Sequence, residues 1–481
     1  MRLVKHVQEE KREISMNSIS NESSKNPTNQ AMAKIVNWLN ENDVKQVQCL
    51  IGDHTGVARG KVLPVDKFIS EQGCRLGETI LLQSVVGGYA AGDVLWSLSD
   101  PRDVDMVLKP DADACYLLPW SDEKTAMIIH DCYTPQNKEV TFSPRNLLKK
   151  VIKLYNEQGW QAVVAPEMEL YLTKTCTDES QELEVPKGKS GRTEAGRQSF
   201  GIDAMSEFDP LMKDVYAWAK IQGLGLDVVV HEEGRGQFEF NFDHGDPLKL
   251  ADQVFTFKRT VRAAAEKHGI TATFMAKPIC GQPGSAMHIH QSVVDTATGD
   301  NIFADNSSNT GFSELFGYYL GGLQTFTPEV MPMLAPNVNS YRRFLTGESV
   351  PVNLHWGIEN RTVGLRVPDA PSAAKRVENR IAGADANPYL AIAATLICGY
   401  IGMMEKISPS AETTSRANGK LSDKLPLNID LAIKMMSNSD TMKKYLGDAF
   451  VRGFIGTRQA DYDHYKSEIS AWERRFLLTN V

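Results

Sequence analysis

The stretch "VVAPEMELYL", residues 163–172, sets Glu167 and Glu169 two positions apart in an otherwise apolar segment. In a strand, successive side chains alternate between faces, so Glu167, Glu169 and Tyr171 share one face and Met168, Leu170 and Leu172 the other. Two carboxylates at that spacing stand roughly 6–7 Å apart. With an effective dielectric near 20 they repel by about 2–3 kcal/mol, a large part of the net stability of an ordinary domain. Either a cation compensates them or they face bulk water.

The pattern recurs. In "HEEGRGQFEFNF" Gln237, Glu239 and Asn241 share a face, Phe238, Phe240 and Phe242 take the other, and Glu232 precedes across a Gly-containing turn. In "GSAMHIHQS" His288, His290 and Ser292 align; in "KRVENRIA" Arg376, Glu378 and Arg380 do; "NRTVGLRVP" puts Arg361 and Arg366 on or beside a further strand. One such strand is an ordinary amphipathic strand. Five of them, carrying metal-ligand and anion-binding residue types, predict one shared polar face on a curved antiparallel sheet with helices behind. Glu167, Glu169, Glu232, Glu239 and Glu378 offer oxygen and His288 an imidazole. An oxygen-rich set selects Mg²⁺ or Mn²⁺ over zinc. Five carboxylates exceed the needs of one ion, so two are expected, and paired hard cations typically clamp phosphoryl groups. Arg343, Arg361, Arg366, Arg376 and Arg380 supply forks that match carboxylate and phosphate oxygens. The chain has no G-x-x-x-x-G-K-[ST] and no G-x-G-x-x-G. A nucleotide is therefore expected to be held by metal and arginine.

The elements that must position these residues follow from the rest of the sequence. Residues 1–30 are polar and read as a tail. "AMAKIVNWLNEND" predicts an amphipathic helix through Ile35, Val36 and Leu39, and "VKQVQCLIGD" a strand with Val47, Cys49 and Ile51 on one face. Short strands continue to residue 138, giving a small α+β unit over 31–138 and a larger unit over 139–481. "FSPRNLLKKVIKLYNEQGW" opens the larger unit as a helix, with Ser143 as cap and Pro144 in the first turn. "TDESQELEVPKGKSGRTEAGRQ" reads as a surface loop. "NPYLAIAATLICGYIGMM" is short for a membrane span and reads as a buried helix capped by Asn387. The 481 residues carry a formal charge of −8, against general nucleic-acid binding. Seven unpaired cysteines and no secretory signal point to the cytoplasm.

Six ordered blocks then carry a resemblance: "APEMELYL", "HEEGRGQFEFNF", "FMAKPICGQPGSAMHIHQS", "APNVNSYRRF", "NRTVGLRVP" and "RVENRIAGADANPYLAIAA". From about residue 34 onward the chain resembles glutamine synthetases of the bacterial type I class. It is most similar to the γ-glutamylamine synthetase branch, such as γ-glutamylputrescine synthetase. The resemblance implies an α+β fold: an N-terminal β-grasp domain and a catalytic antiparallel half-barrel with helices outside. It also implies a dodecamer of two hexameric rings. By motif, Glu169, Glu232 and Glu239 would hold one cation, and Glu167, His288 and Glu378 the other. His290, Ser292, Arg366 and Arg376 would meet ATP. Gly284, Arg343 and Arg380, with Glu169, would hold L-glutamate. Arg361 would stabilise the transferring phosphoryl group, and Asp53 would reach a neighbour's amine site. The rival reading of Asp53 is a turn residue in "DHTG". The implied reaction phosphorylates the γ-carboxylate of glutamate and then lets an amine displace phosphate.

Departures from the pattern bear on the amine. In "LTGESVPVN" Ser349 stands where glutamine synthetases carry a flap glutamate that helps bind ammonium, and Glu348 is one position early. Pro283 stands where the ammonium-using enzymes carry asparagine. Val85, Leu95, Trp96 and Trp356 are expected to wall an apolar acceptor pocket, favouring an alkyl or aromatic monoamine over a diamine. "EKISPSAETTSRANGKLSDKLP" has no tyrosine, so control by tyrosine adenylylation is not expected. The alternatives are an ordinary ammonium-using glutamine synthetase, an inactive structural relative, or a metal store that would not need the arginines.

Overall fold

The computed structural model describes residues 27–178, 181–345, 352–417 and 424–481. The first helix spans Pro27–Glu41, beginning earlier than the sequence suggested, and buries Met32, Ile35 and Leu39. The first 26 residues of the expected tail, and Glu348 and Ser349, lie outside the described residues.

Two sheets organise the chain. The smaller has the order β2-β1-β5-β4-β3, from β1 (Gln46–Gly52), β2 (Ala58–Pro64), β3 (Cys74–Gly77), β4 (Asp105–Leu117) and β5 (Thr125–Tyr133). Its β1·β5 pair is parallel and the others antiparallel. Cys49 and Val47 are fully buried, as their alternation predicts.

The larger sheet comprises β6 (Trp160–Lys174), β7 (Leu226–His231), β8 (Gln237–Phe242), β9 (Ile270–Thr273), β10 (Met287–Asp295), β11 (Trp356–Ile358), β12 (Leu365–Val367) and β13 (Val377–Asn379). Its order is β11-β12-β13-β10-β6-β8-β7, with β9 also pairing with β6. The expectation of an antiparallel sheet needs one correction: β11 and β12 are parallel. β11 and β12 are only three residues long each, and the chain from 359 to 364 returns to the same end of the pair between them.

Three helices pack behind the apolar face: Pro144–Asn156, Pro247–Lys267 and Pro388–Glu405. Ser143 occupies the cap position of the first, but its side chain makes no capping hydrogen bond. Asn387 does cap the third, accepting from the Tyr389 and Leu390 amides. That helix is the one described helix long and apolar enough to cross a membrane, and 89% of it is buried in the fold. Its apolarity is therefore explained by packing.

A buried ionic cluster ties the smaller sheet to the three helices behind the larger one. Arg145 donates to Asp252 at 3.0 and 2.7 Å, to Asp111 at 2.7 Å and to Asp131, while the Tyr389 hydroxyl donates to Asp252 at 2.7 Å. Removing one partner from such a set leaves charge buried without compensation. All seven cysteines are free thiols.

Candidate active site

Strand register assembles the polar face. Across β6 and β8, Glu167 lies opposite Asn241, Glu169 opposite Glu239 and Tyr171 opposite Gln237. Across β6 and β10, His288 lies opposite Glu167. On the far side of β10, His290 faces Glu378, and Glu378 faces Arg366 of β12. Like charges directly opposite, as in Glu169–Glu239, destabilise a sheet. This pairing is therefore retained for something other than the sheet itself.

The face opens into a cavity of about 470 Å³ lined by all six expected metal ligands, with Gly284, Arg343, Arg361, Arg366 and Arg380. His288 is the hub. Its ring nitrogens lie 3.2 Å from Glu167, 3.7 Å from Glu378, 3.9 Å from Glu169 and 4.0 Å from Glu239. His290 Nε2 donates to Glu167 at 2.9 Å, and Arg376 Nε donates to His290 Nδ1 at 3.2 Å. Two donor groups each bring three ligand atoms within 4.8 Å of one another: Glu167, His290 and Glu378, and Glu167, Glu239 and His288. Both share Glu167. The geometry thus brings His290 beside the carboxylates, on the shared polar face that its strand alternation predicts, with Glu167 and Glu378 as its neighbours.

A second cavity of about 320 Å³ shares Glu167 and Asn241 with the first and is lined by His290, Ser292 and Arg376. Arg366, grouped with these by sequence, instead lines the first cavity and donates to Glu378 at 2.8 Å. Arg380 also donates to Glu378. Arg343 donates through Nη1 to the Ile381 carbonyl at 2.9 Å. The Nε atoms of Arg343, Arg366 and Arg380 are buried without a partner among the described residues.

Charge is divided unevenly across the face. Burial raises Glu169 to about 8, reinforced by Glu232, and raises Glu239 well above the carboxylate range, reinforced by Glu167, Glu169, Glu232 and Glu378. Burial raises Glu232 too. For Glu378, burial is overcome by Arg380 and His288, which hold it at about 2. Glu167 is likewise low: burial opposes ionisation, but hydrogen bonds from His288 and His290 prevail. The carboxylates of the opening question are thus compensated here by histidine, arginine and retained protons.

The sign of the resulting pH dependence is fixed. Glu169 keeps a proton in the fold that the unfolded chain releases above its ordinary 4.5. Through Glu169, metal-free stability is therefore expected to fall as pH rises from 4.5 through about 8, while His54 and His130, which burial lowers to about 4, act in the opposite sense below their ordinary 6.5. The depressed pair, Glu167 and Glu378, acts oppositely, but only as pH falls below 4.5 toward about 2. Scanning calorimetry in chelator should show a lower Tm at pH 8 than at pH 7, above the range in which the buried histidines contribute. Glu239→Gln should raise the pH 8 value, and added Mg²⁺ should raise it for the unsubstituted protein.

Other expectations fare differently. Asp53 is fully buried. Its Oδ1 accepts from Thr55 N, Thr55 Oγ1 and Val57 N at 2.8, 2.7 and 3.0 Å, and its Oδ2 accepts from Arg59 at 2.7 Å. The two Thr55 bonds belong to the Asp53–Gly56 turn, whereas Val57 follows the turn and Arg59 reaches back from β2. Val85 and Trp96 are exposed, 57% and 45%, and line neither cavity of this protomer. Trp356 lies on β11 with its indole N–H on the Ser410 carbonyl at 2.8 Å, also outside both cavities. Leu95 is buried.

The described part of the polar stretch 177–198 is largely exposed, as a surface loop should be, and its last residues anchor the segment that follows. Glu194 accepts from the Gly236 amide at 2.8 Å and lies 3.2 Å from His231 Nε2. Arg197 donates to Glu233 and to the Gly281 carbonyl, each at 2.7 Å. These anchors deliver Ser199 and Phe200 to the first cavity. Only the turn-like composition of "GRQSFG" hinted at a constrained backbone there.

A deep acidic face ringed by guanidinium groups, beside a second polar cavity, defines a site for divalent cations and anionic substrates. The chain belongs to the glutamine synthetase family: residues 141–477 match the glutamine synthetase catalytic domain, and members of the family are glutamate ligases. It is 30% identical over 451 residues to a glutamine synthetase of Clostridium saccharobutylicum, covering 91% of this chain and 96% of the relative. It is 29% identical over 452 residues to a glutamate–isopropylamine ligase of Pseudomonas sp., covering 92% and 96%. Among solved structures it is similar to an ADP complex of GmaS, with 27% identity and a TM-score of 0.78 over 92% of this chain and 98% of that one. Ligand-free GmaS gives 26% and 0.77 over the same shares. These relatives are consistent with the γ-glutamylamine synthetase branch.

Proposed function

We propose that this chain joins an organic amine, alkyl or aromatic, to the γ-carboxyl of L-glutamate, using ATP and passing through γ-glutamyl phosphate. The observation that carries the reading is the convergence of six metal-ligand side chains and four arginines on one cavity. Five carboxylates with imidazole and no thiol suit two hard divalent cations, Mg²⁺ or Mn²⁺. Glu167, Glu239 and His288, and Glu167, His290 and Glu378, would hold them, with Glu169 and Glu232 adjoining. When bound, such ions supply charge neutralisation for phosphoryl transfer.

Arg343 and Arg380, with Gly284, bind glutamate. Their buried, unpartnered Nε–H groups support a role toward an anion. Gly284 leaves room for the Arg343 side chain itself, because a Cβ there would lie 2.5 Å from Arg343 Cγ and 2.8 Å from the Ala276 carbonyl. Arg361, exposed at the rim, orients and stabilises the transferring phosphoryl group. His290, Ser292 and Arg376 face the nucleotide in the second cavity. The two sheets correspond to two domains divided near residue 138, and the subunits form a homo-oligomer, a dodecamer by family pattern, in the cytoplasm.

Two features support a carbon-bearing amine over ammonium. The sequence replaces the flap glutamate by Ser349. Phe200 and Val230 line the cavity beside Glu232 and Glu233, and Phe200 is 64% exposed in a left-handed backbone conformation, φ +57°. A bulky residue is rarely found there without a local demand. The relative that acts on isopropylamine is consistent with this choice.

A panel of amines in a coupled ADP-release assay tests it. Amines of three to six carbons should exceed ammonium in kcat/KM by tenfold or more. Phe200→Ala should lower that value for the alkylamine by about tenfold, the equivalent of roughly 60 Å² of lost apolar burial. It should leave ammonium nearly unchanged, and Ser349→Glu should shift preference toward ammonium. Ammonium as the best acceptor would return the chain to ordinary glutamine synthesis.

A further inference from the structure

Arg343 is 1% exposed and stands just after the short helix Val338–Tyr341. That helix is held on two sides. Asn339 exchanges hydrogen bonds with the Lys277 backbone, accepting from its N–H at 2.8 Å and donating to its carbonyl at 3.0 Å. On the other side, Asn337 Nδ2 and Ser340 Oγ both donate to Asp385 Oδ2, at 2.8 and 2.6 Å. Asp385 is thus the single carboxylate gripping both ends of the helix that presents Arg343.

The loop carrying Asp385 is itself fixed to the site. Lys258 Nζ donates to the Ala384 and Ala386 carbonyls at 2.6 and 3.0 Å. The Ala384 amide donates to the Ser285 carbonyl at 3.0 Å, next to Gly284, and the Gly383 amide to Leu334 at 2.9 Å. Arg343 Nη1 closes the circuit on Ile381. Gly383 makes the space: a Cβ there would lie 2.4 Å from Asp385 Oδ1 and 3.6 Å from Arg343 Nη1. Lys258, Arg343 and Arg458 are buried cations within the field of this carboxylate. Asp385 is not among the cavity-lining residues.

We propose that Asp385, seated over Gly383, is a positioning residue that sets Arg343 for glutamate by clamping Asn337 and Ser340. The glutamate part rests on the proposed function; the positioning part does not. Its consequence is selective. An arginine displaced by part of an ångström loses glutamate binding, whereas the ATP side, on β10 and β13, is untouched.

Asp385→Ala in the full chain should raise the glutamate KM at least tenfold, leaving the ATP KM and the kcat at saturating glutamate within about threefold. Asp385→Asn keeps an acceptor for both donors and should recover most of the loss. The double variant Asn337→Ala/Ser340→Ala removes the same bonds from the other side and should reproduce the split, even if Asp385→Ala does not fold. A crystal structure of whichever variant folds should show the Arg343–Ile381 bond broken. An unmoved Arg343, or equal changes in both KM values, overturns the proposal. If the unsubstituted protein turns over no glutamate with any amine, the functional reading fails, and the crystal structure alone decides the positioning claim.

Discussion

Glu167→Ala is expected to reduce ATP turnover by more than about 10³-fold, the loss of roughly 4 kcal/mol of transition-state stabilisation. The expectation follows from Glu167 being common to both donor groups and to both cavities. One substitution thus removes an oxygen from each proposed cation site, at the boundary between the two cavities. It also strips His288 and His290 of the carboxylate that orients them, at 3.2 and 2.9 Å. The fold should survive, because Glu167 faces the cavity while its neighbours Pro166 and Met168 face the core. Circular dichroism and gel filtration of the inactive variant would check this. Retention of more than a tenth of the activity would refute the shared-ligand assignment.

The second large effect is expected at Arg361. Arg361→Ala should lower kcat by about 10²–10³-fold, the cost of removing one donor aimed at charge that develops in the transition state. KM values for ATP and glutamate should move by less than about fivefold, since transition-state contacts act on kcat. Arg361→Lys should restore little, because an ammonium lacks the planar fork. Arg361 differs here from Arg366 and Arg380, which are committed to Glu378 in the metal-free protein. A fall in ATP affinity with normal kcat would move Arg361 to simple nucleotide binding.

The strand faces were readable from sequence because a period of two leaves no freedom. Once Glu167 and Glu169 are on one face, Met168 and Leu170 must be on the other, and the structure buries both. The helix Pro388–Glu405 was readable because Asn-Pro is a strong start signal and the apolar run fits a core. Which strand lies beside which could not be read from local pattern, and that register is what brings His290 to Glu378.

Val85 and Trp96 are apolar residues of a stretch that the resemblance assigns to the amine pocket, and they stand exposed on this subunit, outside both of its cavities. That Phe200 lines the cavity could not be read from the sequence, because its place depends on anchors at Glu194 and Arg197 and on a left-handed backbone, none of which has a periodic signature. At Asp53 the Asp-x-x-Gly turn was legible and accounts for the two Thr55 bonds, but the bond from Arg59 of β2 is a strand contact that the turn motif does not announce.

The central claim is amide formation through an acyl phosphate. It is tested most directly by incubating the protein with ATP, Mg²⁺, a short alkylamine and glutamate bearing ¹⁸O in its γ-carboxylate, and analysing the products by mass spectrometry. The account predicts a γ-glutamyl alkylamide and one ¹⁸O atom transferred to inorganic phosphate for each amide formed. Unlabelled phosphate, or ATP hydrolysis without amide, would contradict it.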